Sequence, residues 1–273
     1  MSFFSAFFLG LVQGVAEFLP ISSSGHLAFF QTFFQMEEAD LFFDVLLHLG
    51  TLIAVFFAYR EDVKELIVSF FSFFKKQTPQ QLRKTRPGKR MILLLIVATL
   101  PLVAILPVKD YIESLYANTF VVGFALIATG LILFFSDRYS NGRKAERDAT
   151  LLDALVVGIG QAIAVMPGIS RSGTSISAGL VRGFDRQFAI RFSFLLSIPA
   201  VLGANLLSLI DAIQDGINWS LMPIYLVGVL TAMVSGYAAI RLLRYITSKS
   251  NFGGFAYYCW GAGLVTILLS LFS

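Results

Sequence analysis

Two runs of this sequence set hydroxyls, glycines and ionisable groups among apolar neighbours: Gln13-Gly-Val-Ala-Glu17-Phe-Leu-Pro-Ile-Ser22-Ser23-Ser24-Gly25-His26 and Ser170-Arg171-Ser172-Gly173-Thr174. Each leads into a new helical stretch through a turn rich in serine and glycine. Serine is a good N-cap, and the free N–H groups of a helix start carry partial positive charge. Two such starts facing each other would hold an anion, phosphate above all. The ionisable residues beside them suit that chemistry. Arg171 offers a planar fork for phosphate oxygens, His26 can shuttle a proton, and Glu17 can bind a hard cation or act as acid or base. Gln13 and Glu17, four apart, share one helix face. A plainer reading, in which the serines only cap helices that must break somewhere, covers any one serine but not these neighbours. Asp44 and His48 also share a face and read as a polar stripe against the bundle.

What surrounds these groups makes them informative. The chain has 273 residues, 56% hydrophobic and only 14% charged, with a mean hydropathy of +0.76. Average soluble domains carry about 25% charged residues, so a polar shell around one core cannot be built from these. The composition is that of a polytopic membrane protein, in which an ionisable group at membrane depth is costly and marks function. The single cysteine, Cys259, excludes a disulfide scaffold, and two histidines with one cysteine do not make a usual zinc site. A net charge of +4 would suggest nucleic acid for a soluble protein. Here the basic residues mark cytoplasmic loops, and no nucleic-acid partner is expected. Ser2 to Leu19 is apolar, but no Lys or Arg precedes Arg60, so the segment reads as mature structure rather than a signal peptide.

A spanning helix needs about 20 mostly apolar residues. Six stretches qualify, at about 41–59, 91–108, 118–136, 187–210, 221–241 and 252–272. Two further apolar regions, 2–36 and 151–181, are each interrupted by Pro, Gly and serines. As one helix, 35 residues would reach roughly 50 Å, too long for a core of about 30 Å. Folded back as re-entrant hairpins, they would put irregular backbone at membrane depth, which is tolerated only around a protein-enclosed cavity. Of the 21 Lys and Arg residues, all but Lys109 and Arg171 then fall on one face, assigned as cytoplasmic, while Glu37, Glu38, Asp40, Asp110, Glu113, Asp211 and Asp215 fall in outer loops. Both termini lie outside, the first hairpin opens outward and the second opens to the cytoplasm.

Displacing the chain by 148 residues pairs Gly10 with Gly158, Gln13 with Gln161, Ala16 with Ala164, Ile21 with Ile169, Ser22 with Ser170, Ser24 with Ser172 and Gly25 with Gly173. Each half is a hairpin followed by three spans, and an odd number of spans turns the second half upside down. The expected fold is therefore all-α and polytopic: six transmembrane helices and two re-entrant hairpins in an inverted-topology repeat. It forms a single membrane domain, 1–273, with halves 1–136 and 150–273. Sites in such repeats lie near the bilayer midplane between broken helices.

The first run resembles the leading signature of the undecaprenyl-diphosphatase family, also called bacitracin-resistance proteins, and Pro167-Gly-Ile-Ser170-Arg171-Ser-Gly-Thr174 resembles the second. The resemblance covers essentially the whole chain. It implies a bacterial inner-membrane enzyme that hydrolyses undecaprenyl diphosphate to the monophosphate and inorganic phosphate, recycling the carrier of peptidoglycan precursors. It also implies a divalent cation, Mg²⁺ or Ca²⁺. Glu17, Ser23, His26 and Arg171 fall on positions the family treats as catalytic, with Glu17 the most plausible metal anchor because the preceding acidic position is Gln13 here. Gln13, Ser22, Ser24, Gly25, Ser170, Ser172, Gly173 and Thr174 would bind substrate. On this reading Ser23 attacks the terminal phosphorus and His26 handles its proton, with His26 as direct nucleophile left open. The competing class is a transporter or flippase for an anionic, phosphorylated substrate. A site opening to the outer face is expected, membrane lipids surround the chain, and assembly as a homo-oligomer stays open.

Overall fold

The computed structural model describes residues 1–33, 41–75, 78–138, 141–249 and 253–271. The acidic residues Glu37, Glu38 and Asp40 and the basic Lys76 lie outside the described residues. The α-helices are α1 (Phe3–Phe18), α2 (Ser23–Phe33), α3 (Leu41–Ala58), α4 (Arg60–Ser72), α5 (Pro79–Val103), α6 (Lys109–Ser114), α7 (Thr119–Arg138), α8 (Leu151–Ile163), α9 (Arg171–Val181), α10 (Arg186–Asp215), α11 (Met222–Lys249) and α12 (Gly254–Ser270). Five segments among the described residues are long and apolar enough to cross a membrane: Leu41–Ala58, Thr85–Ile112, Thr119–Arg138, Arg186–Gln214 and Trp219–Thr247. The sixth expected span corresponds to α12, which is apolar but has 17 residues.

The two regions read as interrupted hairpins are broken where expected. Helix α1 ends at Phe18, just before Pro20, which lacks the N–H a continuing helix would need; α8 ends ahead of Pro167. The halves also begin alike. Ser2 and Ser5 form a reciprocal capping box at the start of α1, and Thr150 and Asp153 form one at the start of α8. Asp153 is fully buried and held by Lys144 at 3.1 Å and Arg182 at 2.7 Å. It ties α8 to neighbouring segments and is no part of the polar cluster described below.

Packing crosses between the halves in a reciprocal way. Helix α1 lies along α11, and α8 lies along α5; α3 pairs with α10, and α7 with α12. Close approach explains two of the matched glycines. A Cβ at Gly10 would collide with the backbone carbonyl of Gly228, and one at Gly158 with that of Ala98. The main core joins Phe18, Tyr59, Met91, Leu133, Phe192 and Phe194 across five helices and their ends. Large apolar side chains such as Phe4, Phe124, Leu206 and Val234 stand exposed on the outside, as on a surface that meets lipid rather than water.

Candidate active site

Two left-handed residues make the two breaks. After α1 the chain passes through Ser22, whose φ is 71°, and after α8 through Gly168, whose φ is 89°. Glycine accepts that conformation freely and serine does so at a cost. His26 supports the costly turn: its Nδ1 donates to the Ser22 carbonyl at 2.7 Å, and its Nε2 accepts from the Tyr258 hydroxyl at 2.7 Å. A carbonyl can only accept, so this tautomer follows from the partners. The serines after each turn cap the new helices, with Ser22 Oγ accepting from the Gly25 N–H and Ser170 Oγ from the Gly173 N–H at 3.1 Å. Thr129 Oγ1 fastens the second turn by donating to the Gly168 carbonyl and accepting from the Ser170 N–H. The breaks touch: Ser172 Oγ donates to the Leu19 carbonyl at 3.3 Å, and a Cβ on Gly173 would press on Pro20.

At this junction Glu17, 7% exposed, gathers groups from both halves. Its Oε1 accepts from the Arg171 guanidinium at 2.5 Å. Its Oε2 accepts from Ser23 Oγ at 2.6 Å and from Gln13 Nε2 at 3.2 Å. His48 Nε2 lies 3.9 Å from the same oxygen, with its Nδ1 donating to the Asp44 carbonyl at 2.8 Å. A cavity of about 370 Å³ opens over this cluster, lined by Glu17, Ser23, Ser24, Asp44, His48, Gln161 and Arg171 with apolar walls that include Leu27, Leu102, Val165 and Val201. Chemically this is a hydroxyl whose proton already points at a carboxylate, next to a guanidinium that the same carboxylate orients.

The sequence expectations divide here. Glu17, Ser23 and Arg171 come together, and Ser24 joins them on the cavity wall. Gln13 stands behind Glu17 rather than on the wall. Ser22, Gly25, Ser170, Ser172, Gly173 and Thr174 do not line the cavity either. Their hydroxyls and N–H groups shape the turns, Thr174 Oγ1 donating to the Ser170 carbonyl at 2.8 Å. His26 is not brought to Ser23: both ring nitrogens are engaged elsewhere, and the ring stacks on Tyr258 at 5.7 Å. The imidazole near Glu17 belongs to His48 instead. Reading Asp44 and His48 as a bland stripe missed this, although their spacing and depth were visible. Gln161, which the repeat pairs with Gln13, also lines the cavity although it was not among the residues expected there.

The donor set speaks against a cation anchored on Glu17. Both its oxygens already accept from N–H or O–H donors, one of them cationic. Among the described residues no cluster of three His, Cys, Asp or Glu side chains could hold a metal ion. The residues present do not fit a protein-built metal centre there.

A larger cavity, about 620 Å³, lies toward the other ends of α3 and α11 and is lined by Tyr59, Asp62, Glu146, Arg191 and Arg244. Its charges are mutually compensated, with Arg191 bonded to Asp62 at 2.5 Å and to Glu146 at 2.8 Å. Burial pushes the Glu146 carboxyl above its ordinary value against the pull of Arg191. This cavity holds an ion-pair network.

Long apolar helices around a buried hydroxyl–carboxylate–guanidinium cluster define a multi-pass membrane protein with a polar site between broken helices. The family model described as "Bacitracin resistance protein BacA" matches residues 6–265, and the chain belongs to that family. Similar proteins include the undecaprenyl-diphosphatases of Carboxydothermus hydrogenoformans, 41% identical over 273 residues and covering 98% of both chains, and of Halothermothrix orenii, 40% identical over 272 residues and covering 99% of both. The undecaprenyl-diphosphatase of Methanobrevibacter smithii is 41% identical over 277 residues, again with 99% of each chain covered.

Proposed function

We propose that this chain is a membrane phosphatase that hydrolyses undecaprenyl diphosphate to undecaprenyl phosphate and inorganic phosphate, recycling the lipid carrier for peptidoglycan synthesis and conferring bacitracin resistance. The observation that carries the mechanism is Ser23 Oγ bonded to Glu17 on a cavity wall that also bears Arg171. A carrier needs groups that bind an anion but has no use for a hydroxyl poised to lose its proton.

In this reading Ser23 Oγ attacks the terminal phosphorus while its proton passes to Glu17. The bond to the bridging oxygen breaks, and undecaprenyl phosphate leaves with the proton that Glu17 returns. Water then attacks the phosphoserine, its proton travelling through Glu17 back to Ser23 Oγ, and inorganic phosphate departs. Arg171 and the starts of α2 and α9 neutralise charge on the transferred phosphoryl group; such fixed electrostatics dominate phosphoryl transfer. His26 acts through the Ser22 turn that aims Ser23, and not as nucleophile or proton carrier. The expected Mg²⁺ or Ca²⁺ would be held chiefly by the diphosphate, because both Glu17 oxygens already accept from neighbouring donors.

The same proposal takes α12 as a sixth span and the α1–α2 and α8–α9 pairs as re-entrant hairpins of an inverted repeat, within one membrane domain. At about 1.5 Å per residue α12 reaches roughly 25 Å, a mismatch that local thinning of the bilayer accommodates. Reciprocal packing of α1 on α11 and α8 on α5 supports it, as do the matching capping boxes. The charge bias supports a cytoplasmic membrane location with the cavity opening outward: the cavity lies near Leu41, Asp44 and Ser208, while Arg60 and Arg186 sit at the opposite ends of α3 and α10. The prenyl tail then runs along the apolar wall toward lipid.

The test is phosphate release from undecaprenyl diphosphate by purified protein in detergent, where transport cannot occur. Wild type should release phosphate, and Ser23→Ala should lose roughly 10³-fold or more of that rate. EDTA should abolish release, and added Mg²⁺ or Ca²⁺ should restore it. A folded wild type that releases nothing with either cation would overturn the reading.

A further inference from the structure

We propose that Gln161 is a phosphoryl-binding residue of this site, its amide donating to an oxygen of the group that Ser23 takes. The inference rests on the phosphatase reading for its substrate, but not for its geometry. Gln161 is on α8, 1% exposed, and lines the cavity together with Ser23, Glu17 and Arg171. Neither its Nε2 nor its Oε1 has a hydrogen-bond partner among the described residues. Buried amides are almost always paired, so one left open on a cavity wall calls for an explanation.

The repeat shows why it is open. Gln13, its counterpart in the first half, donates to Glu17 one helical turn on. The residue corresponding to Glu17 in the second half is Val165, so Gln161 has no carboxylate to serve. Arg171 is in a similar position: one arm holds Glu17, while its second terminal nitrogen, Nη1, is buried and without a partner among the described residues. The second half thus offers two unspent N–H donors at one cavity. A small anion with several oxygens satisfies both, and the Gln161 carbonyl can then accept from the water that attacks phosphoserine.

Gln161→Met keeps the length of the side chain and removes the amide. Inorganic phosphate binding to the purified full chain, read by calorimetry, should weaken by about tenfold or more, the usual worth of a hydrogen bond to a charged group. The specificity constant for undecaprenyl diphosphate should fall in parallel, with the loss mainly in KM. Tm should stay level or rise, because an unpartnered buried amide has been replaced by an apolar group. Gln161→Asn, which draws the amide back by one methylene, should weaken phosphate in the same direction and serves if the Met variant does not fold. Phosphate affinity within twofold of wild type in a folded variant would overturn the proposal, whatever happens to Tm. A wild type that binds phosphate through Gln161 yet releases none from undecaprenyl diphosphate would leave the binding role standing and remove the phosphatase reading alone.

Discussion

The two broken helices share a backbone device and differ in chemistry. Each has a proline after the first helix and a capping serine whose Oγ accepts from a glycine N–H three residues on, while the positive φ falls on the capping Ser22 itself in the first break and on Gly168, two residues before Ser170, in the second. At matched positions the first break has Glu17, Ser23 and His26, where the second has Val165, Arg171 and Thr174. One half therefore supplies the hydroxyl and the carboxylate, and the other supplies the cation and a free amide. Electrostatics accounts for the difference between the two breaks. Two largely buried carboxylates meeting here would repel, whereas a carboxylate facing a guanidinium compensates both charges. Neither half holds a complete site, which exists only where Glu17 meets Arg171.

Substitutions that erase the difference should do the most damage. Arg171→Met leaves Glu17 buried and uncompensated, so stability should fall by about 3–5 kcal/mol and phosphate release by roughly 10³-fold. Adding Glu17→Gln should return the stability without the activity, readable as Tm and turnover of the double variant. Arg171→Lys keeps the charge but loses the fork; a drop of about 10²-fold in turnover is expected, and full activity would argue against two-point contact with phosphate. His26→Phe keeps a ring against Tyr258 but releases the Ser22 carbonyl. Its loss should be about tenfold, in kcat, with the shape of the pH–rate profile unchanged, as for a misaimed nucleophile. Disappearance of one limb of that profile would instead make His26 the proton carrier. The smallest effects concern the turns themselves. Ser22→Gly removes a strained φ at the loss of a weak cap and should change stability by less than about 1 kcal/mol. Gly168→Ala should destabilise by about 1–3 kcal/mol, since a Cβ there would also press on the Val122 carbonyl. Equal effects at the two positions would mean that the two turns do not differ in backbone strain.

The depth of Glu17 and Arg171, the serine turns and the repeat were legible because each is a local matter of residue type and spacing. The serines illustrate the limit of that legibility. Residue type and spacing alone did not distinguish Ser23, which donates to Glu17, from Ser22 and Ser170, which are consumed in capping; only the family resemblance singled it out. All three sit in the same kind of turn, and their roles depend on the direction in which each side chain leaves it. His26 shows the same limit, being close to Ser23 along the chain yet turned toward Tyr258 on the far helix α12. His48 could not be joined to Glu17 without knowing that α3 passes beside the first break.

By itself the sequence determined that the chain lies in a membrane, that two of its apolar stretches must break, and that the charges left there are too costly to be incidental. Those conclusions follow from hydration energies and helix lengths, which depend on composition and order alone. The tertiary structure decided which imidazole faces the carboxylate, which serine donates to it, and which amide is left without a partner among the described residues. Those outcomes depend on how side chains 154 residues apart, Glu17 and Arg171, are aimed at one another, and only the packing of both halves fixes that.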